Sequence, residues 1–170
     1  MSYVPSHQAG FKLAQPQALT FIEHTASTTQ TISVGNKVNI GTIYTKFGSF
    51  SPTISSDVLT LPSGYFYYIE SAVQGFKVAF VANCQVSTQH YDETNNQSIG
   101  TQATVFQVSQ ADQSLFSRDA CARALLDCTS GSRDISLKIT SVTNFDAVNY
   151  NAAGYVYAGL GRTVIWQLQA

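Results

Sequence analysis

The sequence predicts an all-β domain, a sandwich or jelly roll of about ten short strands with an extended N-terminal arm. Three observations predict it. From Leu19 onward, short runs of alternating, β-branched or aromatic residues recur at a spacing of roughly 8 to 12 residues. Turn residues rich in Gly, Pro, Asn and Ser separate them, and only Asp112 to Leu126 has partly helical spacing. No internal repeat is evident, which argues against a propeller or a β-helix.

Size and charge narrow the class. At 170 residues the chain fits one domain with a single core, long enough to bury about 70% of its unfolded surface. Charged residues make up 11% of it, against about 25% in an average soluble domain. Lys plus Arg number 9, Asp plus Glu number 10, and no basic run breaks the balance. A nucleic-acid or anionic-membrane partner is therefore not expected. The first ten residues lack the basic start and apolar segment of a secretory signal, so synthesis in the cytoplasm without export by that route is expected. Cys84, Cys121 and Cys128 are an odd number without a Cys-x-x-Cys pair, which favours free thiols over a disulfide framework or zinc. A Cys121 to Cys128 bridge stays open, because spacing alone does not decide it.

Residues 1–18 contain Pro5, Gly10 and Pro16 and few apolar side chains, too few to pack alone. They read as an arm held by a partner or a neighbouring subunit, and residues 19–170 as the domain. Leu19 to His24 is the first strand; Thr31 to Val34 and Lys37 to Ile40 flank a Gly35-Asn36 hairpin signal. Thr42 to Phe50 is extended until Pro52 breaks it, and Asp57 to Leu61 leads into Leu59 to Gly75, the densest strand-forming block. There Pro62-Ser63-Gly64 supplies a turn, and Phe66 and Tyr68 fall on one face with Tyr65, Tyr67 and Ile69 on the other. Both faces are apolar or aromatic, so both are expected to be covered, one by the core and one by another subunit.

Phe76 to Cys84 alternates like a strand, Gln89 to Gly100 reads as an exposed polar loop, and Thr101 to Val108 returns to strand. Asp112 to Leu126 fits a short helix as well as an irregular excursion. Leu125-Leu126 and Ile135 to Thr140 read as two strands tightly joined through Ser130-Gly131-Ser132. Val142 to Ala153 is loop-like. Tyr155 to Tyr157 and Thr163 to Leu168 close the domain, with Val164, Trp166 and Leu168 on one face and Ile165 on the other.

This pattern resembles the jelly roll of the C1q and tumour necrosis factor superfamily. Three features carry the resemblance: Pro62, Gly64, Phe66 and Tyr68 in its Gly-x-aromatic-x-aromatic strand; Leu125-Leu126, Gly131, Asp134, Ile135, Leu137 and Ile139; and Tyr155, Gly159, Gly161 and Val164 to Leu168 near the C-terminus. It implies a compact homotrimer with aromatic strand faces around a three-fold axis. Tyr65, Tyr67, Tyr68 and Trp166 are the candidate trimer contacts, since large amphipathic rings favour interfaces.

No catalytic motif emerges: there is no Gly-x-Ser-x-Gly elbow, phosphate-binding glycine loop or His-Glu-x-x-His helix. Neither catalytic nor metal-binding residues are assigned, no cofactor is expected, and an enzyme is not. His90, Asp92 and Glu93 come nearest to a metal cluster but read as a solvated turn, and Asp112, Asp119 and Asp127 lack the spacing of an acid and a base. Asn96-Gln97-Ser98 is a glycosylation sequon expected to stay idle without export. The sequence reading is a structural virion protein: a trimeric decoration or cement protein on the outer surface of a phage capsid. Its partners would be the major capsid protein or neighbouring virion subunits, anchored through Tyr3, Val4, Phe11 and Leu13. The alternative is a C1q-like or fibre-head module that recognises a host receptor or glycan on its loops.

Overall fold

The computed structural model describes residues 18–25, 30–31, 33–48, 52–73, 76–77, 84–107, 114–115, 121–143, 155–156 and 161–168. Fourteen strands and no helix lie among them. The ten longer strands are β1 (Ala18–Thr25), β3 (Thr42–Phe47), β4 (Thr53–Ser55), β5 (Val58–Leu61), β6 (Phe66–Val73), β8 (Cys84–Asp92), β9 (Gln97–Gln107), β11 (Cys121–Asp127), β12 (Arg133–Thr143) and β14 (Gly161–Leu168). Four two-residue strands, β2 (Gln30–Thr31), β7 (Phe76–Lys77), β10 (Ser114–Leu115) and β13 (Tyr155–Val156), form a small sheet of their own.

The ten longer strands make one antiparallel sheet in the order β3-β1-β14-β6-β11-β9-β8-β12-β5-β4. Between β11 and β9 a single pair, Arg123 and Thr101, holds the ladder together. That seam lets the sheet curl, so that five strands face five across a shared core, as in a β-sandwich. Pairing along the chain is nested: β1 with β14, β5 with β12, β6 with β11 and β8 with β9.

The core lies between the two halves. Tyr67, Ile69, Ala124, Leu126 and Ile165 from one half meet Leu59, Leu61 and Ile135 from the other. Beside them Val73 and Ala122 meet Val86, Ala103, Val105, Leu137 and Ile139. Each large aliphatic side chain buried in this way contributes roughly 1.5–3 kcal/mol of transfer free energy. Period-two alternation produces the arrangement, because every second residue of β6 and of β11 is buried and its neighbours are not.

Three expectations are corrected. Residues 121–127 form a strand, not the end of a helix: Ala122, Ala124 and Leu126 point inward while Arg123, Leu125 and Asp127 point out, and this alternation outweighs alanine's helix preference. Gln89 to Gly100 is not a loop but the paired ends of β8 and β9 around a turn at 93–96. Its inward polar groups find partners inside, His90 through Nε2 and Asp92 through both carboxylate oxygens, so the polar sequence hides a strand. Gly35-Asn36 does not close a hairpin; Ser33 to Asn36 make a turn with Gly35 at φ 88, and the chain then pairs with β12 through Val38 N–H to Leu137 O at 2.7 Å. Of the Phe76 to Cys84 stretch, Phe76–Lys77 form β7 and Cys84 begins β8, and residues 78–83 lie outside the described residues. The two-residue hairpin instead joins β4 to β5 through Ser56 and Asp57, both at positive φ.

Candidate functional site

The outward side of the β3-β1-β14-β6-β11 half is the most distinctive surface among the described residues. Alternation turns Phe66, Tyr68, Glu70 and Ala72 of β6 outward, and gives β14 an outward row of Arg162, Val164, Trp166 and Leu168. On β11 the outward residues are Cys121, Arg123, Leu125 and Asp127. Backbone register then lines up one row across five strands: Phe47 opposite Phe21, Phe21 opposite Trp166, Trp166 opposite Tyr68 and Tyr68 opposite Leu125. At about 4.8 Å per strand the row is about 19 Å long.

Its exposure is unusual. The large apolar side chains exposed among the described residues are Val34 at 59%, Phe47 and Leu125 at 69% and Trp166 at 38%; three of the four stand in this row. Scattered apolar residues on a surface need no explanation, but a contiguous row marks an interaction site. Tyr68, Glu70, Leu125, Arg162, Val164, Trp166 and Leu168 also line a depression of about 490 Å³ on this face.

A small polar cluster borders the row. Arg123 Nε donates to Glu70 Oε2 at 3.0 Å, and Tyr68 Oη donates to the same oxygen at 3.2 Å. Partial burial pushes the Glu70 carboxyl up, but hydrogen bonds from Arg123, Cys121 and Tyr68 outweigh it and hold the group below its ordinary value. Burial, and then the bond to Glu70, raise the Tyr68 hydroxyl. The row therefore combines an aromatic and aliphatic middle with a satisfied, charged border, the composition of a protein contact. On the other half the outward surface is polar: Lys138 Nζ sits 3.3 Å from the centre of the Tyr91 ring and 3.0 Å from Glu93 Oε1.

The structure sorts the sequence candidates. Tyr68 and Trp166 stand side by side on the open face. Tyr67 does not: it is 0% exposed, inside the core, so it is no surface contact of the folded chain. Tyr65 is half-buried against the same core, its ring edge-on to Tyr67 with centroids 6.4 Å apart. Tyr3, Val4, Phe11 and Leu13 lie outside the described residues, as do Asp112 and Asp119. Sequence reasoning missed Phe47 and Leu125; the signal for Leu125 was the alternation of Cys121 to Asp127.

His90, Asp92 and Glu93 do not form a metal cluster, and no group of three His, Cys, Asp or Glu side chains able to hold a metal occurs among the described residues. Strand alternation separates them, with His90 and Asp92 inward. Asp92 Oδ2 accepts from Arg133 Nη1 at 2.9 Å and from Asn95 Nδ2 at 2.7 Å. Arg133→Met should cost about 1–3 kcal/mol in urea unfolding, because it leaves the carboxylate short of a charged partner. Adding Asp92→Asn should recover part of that loss, and a neutral Arg133→Met would contradict the pairing. Asp127 is exposed and accepts from Thr129 N–H at 2.9 Å.

Ser71 Oγ lies 2.9 Å from His90 Nε2, the spacing of an activated nucleophile, but both side chains are sealed in the interior and no substrate reaches them. Cys121 and Cys128 are free. Seven residues along an extended strand hold them about 23 Å apart, too far for a bridge. Burial pushes the Cys128 thiol up to about 11, which makes it unreactive at neutral pH. No family model matches the chain, and no curated protein matches it.

Proposed function

We propose that the protein is a non-enzymatic structural subunit that self-associates through the outward face of β14, β6 and β11, as a homotrimer. The single observation that carries this reading is the row of Phe47, Trp166, Tyr68 and Leu125, an apolar strip too continuous for a solvent-facing sheet. Trp and Tyr are the residue types that dominate binding energy at protein contacts, and Arg123 and Arg162 lie beside them. The nested pairing of β1 with β14, β5 with β12, β6 with β11 and β8 with β9 supports a jelly roll, a long hairpin folded over on itself. It also supports the resemblance to the C1q and tumour necrosis factor superfamily, which suggests three copies rather than two.

The role proposed for such a trimer is decoration of a viral capsid from outside, with residues 1–18 as the anchoring arm. Low charge and a polar, neutral surface favour packing against a lattice rather than binding nucleic acid. Deleting residues 1–16 tests it. The truncated chain should keep its oligomer and its melting temperature, yet fail to co-sediment with virus particles that retain the full chain. Equal retention of both chains would overturn the anchoring role, and a full chain that no particle retains would overturn the virion reading.

A further inference from the structure

We infer that His90 is an acid-sensitive latch between the two halves of the sandwich: its protonation detaches β8 from β6 and β14 and loosens the open aromatic face. The geometry is a hydrogen-bonded chain across the core. His90 Nε2 lies 2.9 Å from Ser71 Oγ, and Ser71 Oγ lies 2.8 Å from Thr163 Oγ1. His90 belongs to β8 in one half, and Ser71 and Thr163 belong to β6 and β14 in the other. All three side chains are buried, and among the described residues His90 Nδ1 has no hydrogen-bond partner. A neutral imidazole carrying its proton on Nε2 fits this place, donating to Ser71 Oγ and leaving Nδ1 as a bare acceptor. An imidazolium does not, because Nδ1–H would then be a charged donor with nothing to receive it.

Among the described side chains, none facing His90 supplies a counter-charge. Leu137 of β12 and Ile99 of β9 are the register partners of His90, and both are apolar. From β6 and β14 the facing groups are the neutral hydroxyls of Ser71 and Thr163, while Glu70 and Arg162 occupy the alternate, outward positions. On β11 the inward residues are Ala122 and Ala124, with Arg123 outward. Lys138 of β12 lies outward over Tyr91. Asp92, two residues along β8, is engaged by Arg133 and Asn95. On β1, His24 holds the register position opposite Thr163 and is the one other histidine near the chain of bonds among the described residues.

Burial alone lowers the His90 imidazole from its ordinary 6.5 to about 4. The folded state thus prefers the neutral ring. The stabilisation is complete above pH 6.5 and is lost as pH falls from there toward 4, because the unfolded chain takes up a proton that the folded chain refuses. From pH 7.5 to 4.5 the unfolding equilibrium constant should rise about 70-fold on this account. Since Ser71 and Thr163 alternate along β6 and β14 with Tyr68, Glu70, Val164 and Trp166, the same loss disorders the open face. That consequence for the oligomer rests on the self-association proposed above; the latch itself does not.

The experiment is urea unfolding of the full chain at pH 7.5, 6.0, 5.0 and 4.5, beside His90→Gln and His24→Gln. Glutamine keeps an amide at the bonding position and cannot titrate. The unmodified chain and His24→Gln should show the rise, and His90→Gln should lose most of it; parallel curves for the unmodified chain and His90→Gln would overturn the latch. If His90→Gln does not fold, imidazole NMR of the unmodified chain decides: a resonance still neutral at pH 5 supports the latch, and one that titrates near pH 6.5 in the folded protein overturns it. Sedimentation over the same pH series reads the oligomer separately. An oligomer that dissociates with acid in the unmodified chain but not in His90→Gln supports the link to the face, and one that stays intact while the fold weakens overturns that link. A chain monomeric at pH 7.5 would refute self-association and leave the unfolding data to judge the latch.

Discussion

Tyr67→Ala should destabilise the fold by about 3–5 kcal/mol, the cost of emptying a large aromatic site in a packed core. The ring is fully buried among Leu59, Leu61, Ile69, Leu126 and Ile165, contributed by both halves of the sheet. Its hydroxyl lies 3.5 Å from Gln167 Nε2, a long contact, and burial outweighs that contact in pushing the Tyr67 hydroxyl up to about 12. Tyr67→Phe should therefore cost less than about 1 kcal/mol. Urea midpoints of the two variants check both values. A Tyr67→Ala chain that keeps its midpoint would mean that the ring is not in the core.

Gly100→Ala should cost roughly 2–5 kcal/mol, from two sources that add. The residue sits at φ 68, where a side chain costs about 1–2 kcal/mol. A Cβ there would also stand 1.9 Å from Arg123 O and 2.9 Å from Ala124 Cα, which are backbone atoms that cannot swing aside. Forcing them apart costs a further 1–3 kcal/mol or so. The position matters because the next residue, Thr101, makes the sole register pair between β9 and β11, and its Oγ1 accepts from Arg123 N–H at 3.1 Å. The seam that curls the sheet is closed by a glycine. Gly64→Ala is the control: φ there is 94, but nothing lies within 4 Å of the added carbon. It should pay only the backbone term, so equal losses at Gly64 and Gly100 would contradict the close approach at the seam.

Much of this fold was legible because strands betray themselves by alternation. Val164, Trp166 and Leu168 opposite Ile165 could be read directly, and so could the two faces of Phe66 to Ile69. Which face looks inward was a separate question. A strand aromatic on both sides gives no answer from its rings, but Glu70 shares the face of Phe66 and Tyr68, and a carboxylate of this kind belongs toward solvent. The sequence reading passed over that signal and placed Tyr67 among the trimer contacts, whereas the structure buries it.

Other features were hidden for physical reasons. His90 and Asp92 look like loop residues because burial of polar groups depends on partners, Ser71 and Arg133, far away in sequence. The Ser56-Asp57 turn lacks the glycine that usually marks positive φ. Phe47 and Leu125 join the aromatic row only through the register of five strands, which no local pattern encodes. The candidate surface was thus half visible: two of its residues were named from the sequence, and its extent came from pairing.

Sedimentation equilibrium of the full chain at neutral pH, alongside Trp166→Glu, tests the self-association surface most directly. The unmodified chain should run at three times its mass of 18.4 kDa, and the variant, with a carboxylate in the middle of the aromatic row, should run at a single chain mass while keeping its β-sheet circular dichroism. A single chain mass for the unmodified protein at every concentration, or a trimer undisturbed by Trp166→Glu, would contradict it.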